Sequence, residues 1–173
     1  MAELKDIVEQ IQQRNLNKAL ELCESSQNNK NKHIIFNFMG VIHLLKNNLD
    51  LAETNFLSSA KIDGKFEDPI KNLYSICLKK NNLKDLLFYA KKLIKNYPLN
   101  NHYNYQLAYA LELNNQFDEA IKYYEIYVNK EDKDKKKGLN NIGCIHLKKN
   151  KPRVALDYFL KAISFGEDKI ILN

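Results

Sequence analysis

Apolar residues recur along this chain at helical rather than alternating intervals. Leu107 and Leu111, then Phe117, Ala120, Ile121, Tyr124 and Val128, return again and again to one side of a helix. The pattern is interrupted at Asn115, which predicts two helices joined by a tight turn. Asn47, Asn81 and Asn150 mark equivalent interruptions, and asparagine tolerates the left-handed backbone that ends a helix. Pro152 is expected as the first-turn proline of a helix, and Asp68-Pro69 is expected to supply a cap and a first-turn proline for another.

The helices repeat as pairs. Residues 40–57, GVIHLLKNNLDLAETNFL, align with residues 143–160, GCIHLKKNKPRVALDYFL, so that Gly, Ile, His, Leu, Lys, Asn, Ala, Phe and Leu coincide at an offset of 103. Small or apolar residues early in each second helix fall at Ala19, Ala52, Leu86, Ala120 and Ala155, giving spacings of 33, 34, 34 and 35. A period of this size means stacked supersecondary units, none of which buries its apolar face alone. The expected organisation is a single domain over residues 1–173, with units at about 1–32, 33–66, 67–100, 101–135 and 136–169. A short cap or a further helix is expected after them, where Ile170, Ile171 and Leu172 call for burial.

These residues resemble the tetratricopeptide repeat family, whose unit is a helix-turn-helix of 34 residues. The family pattern has a small residue midway along the first helix, alanine early in the second, an aromatic four residues on and a small residue three further. Gly143, Ala155, Phe159 and Ala162 occupy those places in the last unit, and Gly40, Ala52, Phe56 and Ser59 in the second. Ala108, Ala120 and Tyr124 match in the fourth, whereas the third departs with Tyr74, Leu86 and Ala90. The resemblance implies an all-α fold, a right-handed α-solenoid of about five units, with a concave face lined by first helices that binds peptides or partner helices. Truncating Phe159 to alanine is expected to cost about 3 to 5 kcal/mol.

Placed on the family template, the first helices offer Asn37, Phe38 and Val41 from the second unit, and Lys71, Asn72 and Ser75 from the third. The fourth offers His102, Tyr105, Gln106 and Tyr109, and the fifth Lys137, Asn140 and Asn141. The expected peptide-binding residues are Lys71, Asn72, Tyr105, Gln106, Tyr109, Lys137 and Asn141. Some family members hold an acidic carboxy-terminal peptide in a clamp of lysines and asparagines. Lys71 and Lys137 match its lysines, while Ser75, Gln106 and Asn141 depart from it, so the expected partner is an acidic or polar protein segment. Tyrosines supply large contact area at low entropic cost.

Composition narrows the classes. Hydrophobic residues at 45% exclude a disordered chain, and no run approaches the roughly 18 apolar residues of a membrane span. The acidic start MAELKDIVEQ is unlike a signal peptide, and three distant cysteines do not make a disulfide framework, so a cytoplasmic, reducing setting and no membrane partner are expected. Cys23, Cys77 and Cys144 are expected as small buried hydrophobes. The net charge of +6 would suit nucleic acid, but of 27 basic residues only Arg14 and Arg153 are arginine, which argues against phosphate or base recognition.

Chemistry is sparse. Cys144-x-His146 could be a metal pair or a nucleophile with its base, but the His146 slot holds His43, Cys77 and Leu111 in other units, and a slot that takes leucine serves packing. There is no glycine-rich phosphate loop, H-E-x-x-H or G-x-S-x-G, and the pairs Asp118-Glu119 and Glu131-Asp132 fall at helix starts or turns. No catalytic or metal-binding residue is assigned and no cofactor is expected. The leading reading is a non-catalytic protein-interaction scaffold. A second makes this the amino-terminal repeat region of a longer enzyme, such as a transferase, and a third, weaker, is RNA or DNA binding through the lysines. The carboxy-terminal segment is also the expected meeting place for copies of the chain.

Overall fold

The computed structural model describes residues 2–26, 30–130 and 134–167. Among them are ten helices and no strand, and by its internal contacts the chain divides into two units, Met1–Asn82 and Leu83–Asn173.

The first unit holds α1 (Ala2–Gln12), α2 (Leu16–Ser25), α3 (Lys32–Leu45), α4 (Leu49–Ile62) and α5 (Glu67–Lys79). Each helix packs on its neighbours in sequence, and α3 also touches α1 and α5. Ile7 of α1, Ala19 and Cys23 of α2, and Ile35 and Ile42 of α3 are fully buried together. Burial, then the neighbouring Glu24 charge, pushes the Cys23 thiol up to about 12, so it remains a protonated packing group.

The second unit holds α6 (Leu83–Asn96), α7 (His102–Leu113), α8 (Phe117–Lys130), α9 (Lys135–Lys148) and α10 (Pro152–Glu167), again packed in sequence order. Tyr103, Leu107 and Tyr124 are among its largest buried side chains.

Helices end through their own main chain. Asn47, Asn81, Asn115 and Asn150 adopt φ of 60°, 54°, 59° and 56°. The next amide in each case reaches back to a fixed carbonyl: Asn48 to His43 at 2.8 Å, and Asn82 to Cys77, Gln116 to Leu111 and Lys151 to His146 at 2.9 Å. This is a Schellman closure. The slot shared by His43, Cys77, Leu111 and His146 therefore contributes a carbonyl, which every residue type carries. Arg14 has φ 62° and closes α1 in the same way, with Asn15 N–H on Gln10 O at 2.9 Å.

Small residues let helices approach. A Cβ on Gly40 of α3 would lie 2.5 Å from the Phe56 ring of α4, and one on Gly143 of α9 would lie 2.5 Å from the Phe159 ring of α10. Ser59, in the small slot of α4, donates its hydroxyl to the His33 carbonyl at 2.6 Å and pins the start of α3.

Several expectations are corrected. Phe66 precedes α5, so Asp68 lies inside the first turn rather than capping it, while Pro69 does stand in that first turn. Phe56 is fully buried but Phe159 is only half-buried, so the full cost of losing a core aromatic belongs to Phe56. Cys144 is exposed, because α9 turns it away from the core that holds Cys23 and Cys77. The helix α10 runs through Gly166 to Glu167, and the expected further segment, residues 168–173, lies outside the described residues, as does the Glu131-Asp132 pair.

Candidate peptide-binding faces

In the first unit, residues three and four apart on α1, α3 and α5 line one groove of about 360 Å³. Val8, Ile11, Phe38 and Val41 give it an apolar lining, and Asn37, Asp68, Lys71 and Asn72 give it polar groups. Two expected site residues, Lys71 and Asn72, are thus brought together with Asn37, Phe38 and Val41. Ser75 instead donates its hydroxyl to the Lys71 carbonyl at 3.0 Å.

Lys71 pairs with Asp68 at 3.0 Å, both side chains being about half exposed (44% and 52%), so the pair is weak and exchangeable. Asn72 donates its amide to the side-chain carbonyl oxygen of the buried Asn37 at 3.5 Å, a long contact. The contribution of α1 went unforeseen. Its signal was the apolar spacing of Val8 and Ile11 in the most degenerate unit.

The second unit holds the other five, of which Tyr105 and Asn141 meet. Tyr105 of α7 stacks with His102, centroids 6.2 Å apart and planes at 16°, and meets Tyr124 and Tyr127 of α8 at 5.5 and 5.1 Å. Asn141 of α9 donates to the Tyr124 hydroxyl at 2.9 Å and to the Tyr105 hydroxyl at 3.2 Å. Tyr109 is half-buried on the same helix as Tyr105, and the side-chain oxygen of Gln106 is buried. Lys137 pairs with Asp134 at 3.1 Å at the exposed start of α9. Cys144 stands one turn beyond Asn141 on α9.

Sequence reasoning missed what lies under this face. Glu112, at the end of α7 and only 9% exposed, accepts from the Tyr124 hydroxyl at 3.0 Å and from Lys148 Nζ at 2.7 Å. Burial, and then the Glu112 charge, raise the Tyr124 hydroxyl well above its ordinary range, so it stays protonated and donating. A signal was present: the Glu112 slot holds Leu44, Leu78 and Leu147 in the other full units. A carboxylate where the repeat calls for leucine needs partners.

The Cys144-x-His146 pair is not brought together. His146 stacks on Tyr158 of α10 at 5.4 Å and 18°, and burial, then Lys151 and Lys149, lower its pKa. Among the described residues no group of three or more His, Cys, Asp or Glu side chains could hold a metal ion. Among them, too, no helix is long and apolar enough to cross a membrane.

The family profile described as Tetratricopeptide repeat matches residues 102–125 and 137–165, that is α7–α8 and α9–α10. Those two helix pairs match the tetratricopeptide repeat. Solved structures of tetratricopeptide fold superpose on nearly all of it. A crystal structure of MamA protein is 15% identical, covers 99% of this chain and 95% of that one, and gives a TM-score of 0.85. MamA 41-end from Desulfovibrio magneticus RS-1 is 16% identical over 98% and 96%, with a TM-score of 0.83. YrrB, described as a TPR protein with an unusual peptide-binding site, is 16% identical over 98% and 88%, with a TM-score of 0.84. The fold class is accordingly the all-α solenoid type of these repeat proteins. Among curated proteins no relative matches the sequence.

Proposed function

We propose that this chain is a non-catalytic tetratricopeptide repeat scaffold whose first-helix faces each grip a segment of a partner protein. The observation that carries the reading is the groove on α1, α3 and α5, in which apolar side chains sit beside two side-chain amides and an exchangeable ion pair. Such a surface fits an extended or helical segment that buries one or two apolar side chains and satisfies its backbone on asparagine. The tyrosine-rich face of α7 and α9 supports the same reading for the second unit, since rigid aromatic side chains dominate binding energy at interfaces. YrrB, of the same fold, is described as having a peptide-binding site.

The test is binding of the full chain to an array of short random-sequence peptides, repeated with Val8→Asn, Lys71→Ala, Tyr109→Ala and Lys137→Ala. Peptides recovered by the wild-type chain should lose affinity with at least one substitution on either face. Recovery that none of the four substitutions alters removes these faces as the site.

A further inference from the structure

The second unit's face has a fixed hydrogen-bond polarity, set from beneath. Glu112, held by Lys148 at 2.7 Å, is a carboxylate and can only accept. The Tyr124 hydroxyl therefore spends its single hydrogen on Glu112, at 3.0 Å. Its oxygen is left as an acceptor, so whatever Asn141 presents to it at 2.9 Å must be the amide NH2 and not the amide oxygen. The second hydrogen of that NH2 goes to the Tyr105 hydroxyl oxygen at 3.2 Å. Both Asn141 donors are consumed.

What remains is an acceptor and a donor side by side. Among the described residues no donor reaches Asn141 Oδ1, and no acceptor takes the Tyr105 hydroxyl hydrogen. Both side chains are half-buried, so each is partly open to solvent, on α7 and on α9. One acceptor beside one donor is the complement of the N–H and C=O of a single residue in an extended chain. A terminal carboxylate, with acceptors only, would find the Tyr105 hydroxyl but also the Asn141 oxygen, lone pair against lone pair.

We infer that Asn141 and Tyr105 read the backbone of an internal extended segment of the partner rather than a free carboxy terminus, with Tyr124 and Glu112 as the positioning residues that fix this choice. The inference rests on the proposed peptide-binding role and narrows the ligand from an extended or helical segment to the interior of an extended one. Lys137 adds exposed charge at the start of α9, which attracts acidic side chains along such a segment without requiring its end.

The experiment displays each random-sequence peptide twice on the array, once tethered through its carboxy terminus with an acetylated amino terminus, and once tethered through its amino terminus with a free carboxylate. Wild-type protein should bind the two formats of a given sequence alike. N-methylation of one backbone amide in a recovered peptide should weaken binding about tenfold, the worth of one lost hydrogen bond that leaves its partner unpaired. That penalty should vanish in Asn141→Ala. Tyr124→Phe, whose helix content and melting are checked first, frees one Asn141 hydrogen and should shift preference toward the free-carboxylate format. Glu112→Gln should shift it the same way, since its amide can donate to Tyr124 and let the chain of hydrogen bonds reverse.

Binding that needs the free carboxylate in the wild-type chain overturns the inference while leaving the peptide-binding role intact. So does a format preference that neither Tyr124→Phe nor Glu112→Gln moves. Failure of every peptide in both formats overturns the inference together with the role it rests on.

Discussion

Replacing Gly40 with alanine should destabilise the first unit, while the equivalent change at Gly143 should leave the second nearly unaffected. A Cβ on Gly40 would stand 2.5, 2.6 and 2.8 Å from Cε1, Cδ1 and Cζ of Phe56. Carbon atoms rest at about 3.5–4.0 Å, so the ring must retreat by about 1 Å. Phe56 is fully buried, and the move has nowhere to go. Overpacking of this kind costs about 1–3 kcal/mol, and a site without slack belongs at the upper end. Removing glycine from a helix interior returns about 1 kcal/mol, leaving a net loss of about 1–2 kcal/mol.

Gly143 meets Phe159 at almost the same distances, 2.5, 2.8 and 2.9 Å. Phe159 is half-buried, however, on a helix whose neighbouring Leu156 and Leu160 are 57% and 56% exposed, so its ring can swing outward. The clash there falls to the lower end, about 1 kcal/mol, and the gain in helix propensity cancels it. Native-state hydrogen exchange read separately on α3–α4 and on α9–α10 gives the local opening free energies. The pair Gly40→Ala with Phe56→Leu should recover part of the loss, as residues in contact do. Equal costs at the two glycines, or strict additivity of Gly40→Ala and Phe56→Leu, would refute the reasoning.

Other outcomes are expected. Asn115→Ala should cost about 1 kcal/mol in chemical denaturation and Asn115→Gly almost nothing, because only the former loads a Cβ-bearing residue of poor left-handed tolerance at φ 59°. Arg14→Gly should by the same measure raise stability, since Arg14 holds φ 62° without the local hydrogen bonding an asparagine supplies. Ser59→Ala should cost about 1 kcal/mol and loosen the first turn of α3 in hydrogen exchange, through loss of the bond to the His33 carbonyl. Stability should fall with pH below about 6.5: burial, then a lysine neighbour, lowers both His43 and His146 from 6.5, so the unfolded chain takes up protons first. The decline should stop once the folded imidazoles are themselves protonated, and the double change His43→Gln, His146→Gln should flatten it in urea titrations across that window.

The helices and their ends were legible because they follow from local rules. A period of three to four in the apolar residues makes a helix, and asparagine at Asn47, Asn81, Asn115 and Asn150 ends one, whatever packs around it. The close approaches at Gly40 and Gly143 were legible from the small-and-aromatic pairing. The amide–hydroxyl chain under Asn141 was not, since it joins three helices and depends on which way each side chain leans. Asn141 read only as a peptide-binding residue, and its two amide hydrogens are taken by Tyr105 and Tyr124. Phe159 was misjudged because the repeat template assigns its slot to the interior, whereas burial is decided by what covers that slot in this particular unit, and Cys144 because its residue type, not its place on the helix, was taken to set its burial. In the first unit Arg14 hid the turn signal altogether, and with it the part α1 plays in the groove.

Because the turns at Asn47, Asn81, Asn115 and Asn150 are each closed by the amides and carbonyls of their own helix pair, the backbone closure of these turns is local. A gene segment encoding one helix pair can then be copied, lost or exchanged with its punctuation intact, and the cut ends meet at connections already suited to joining helices. Lengthening or shortening such a protein is an edit in whole words, and new partner specificity can be gained by altering the exposed residues of one copy while its sister copies go on holding the old one.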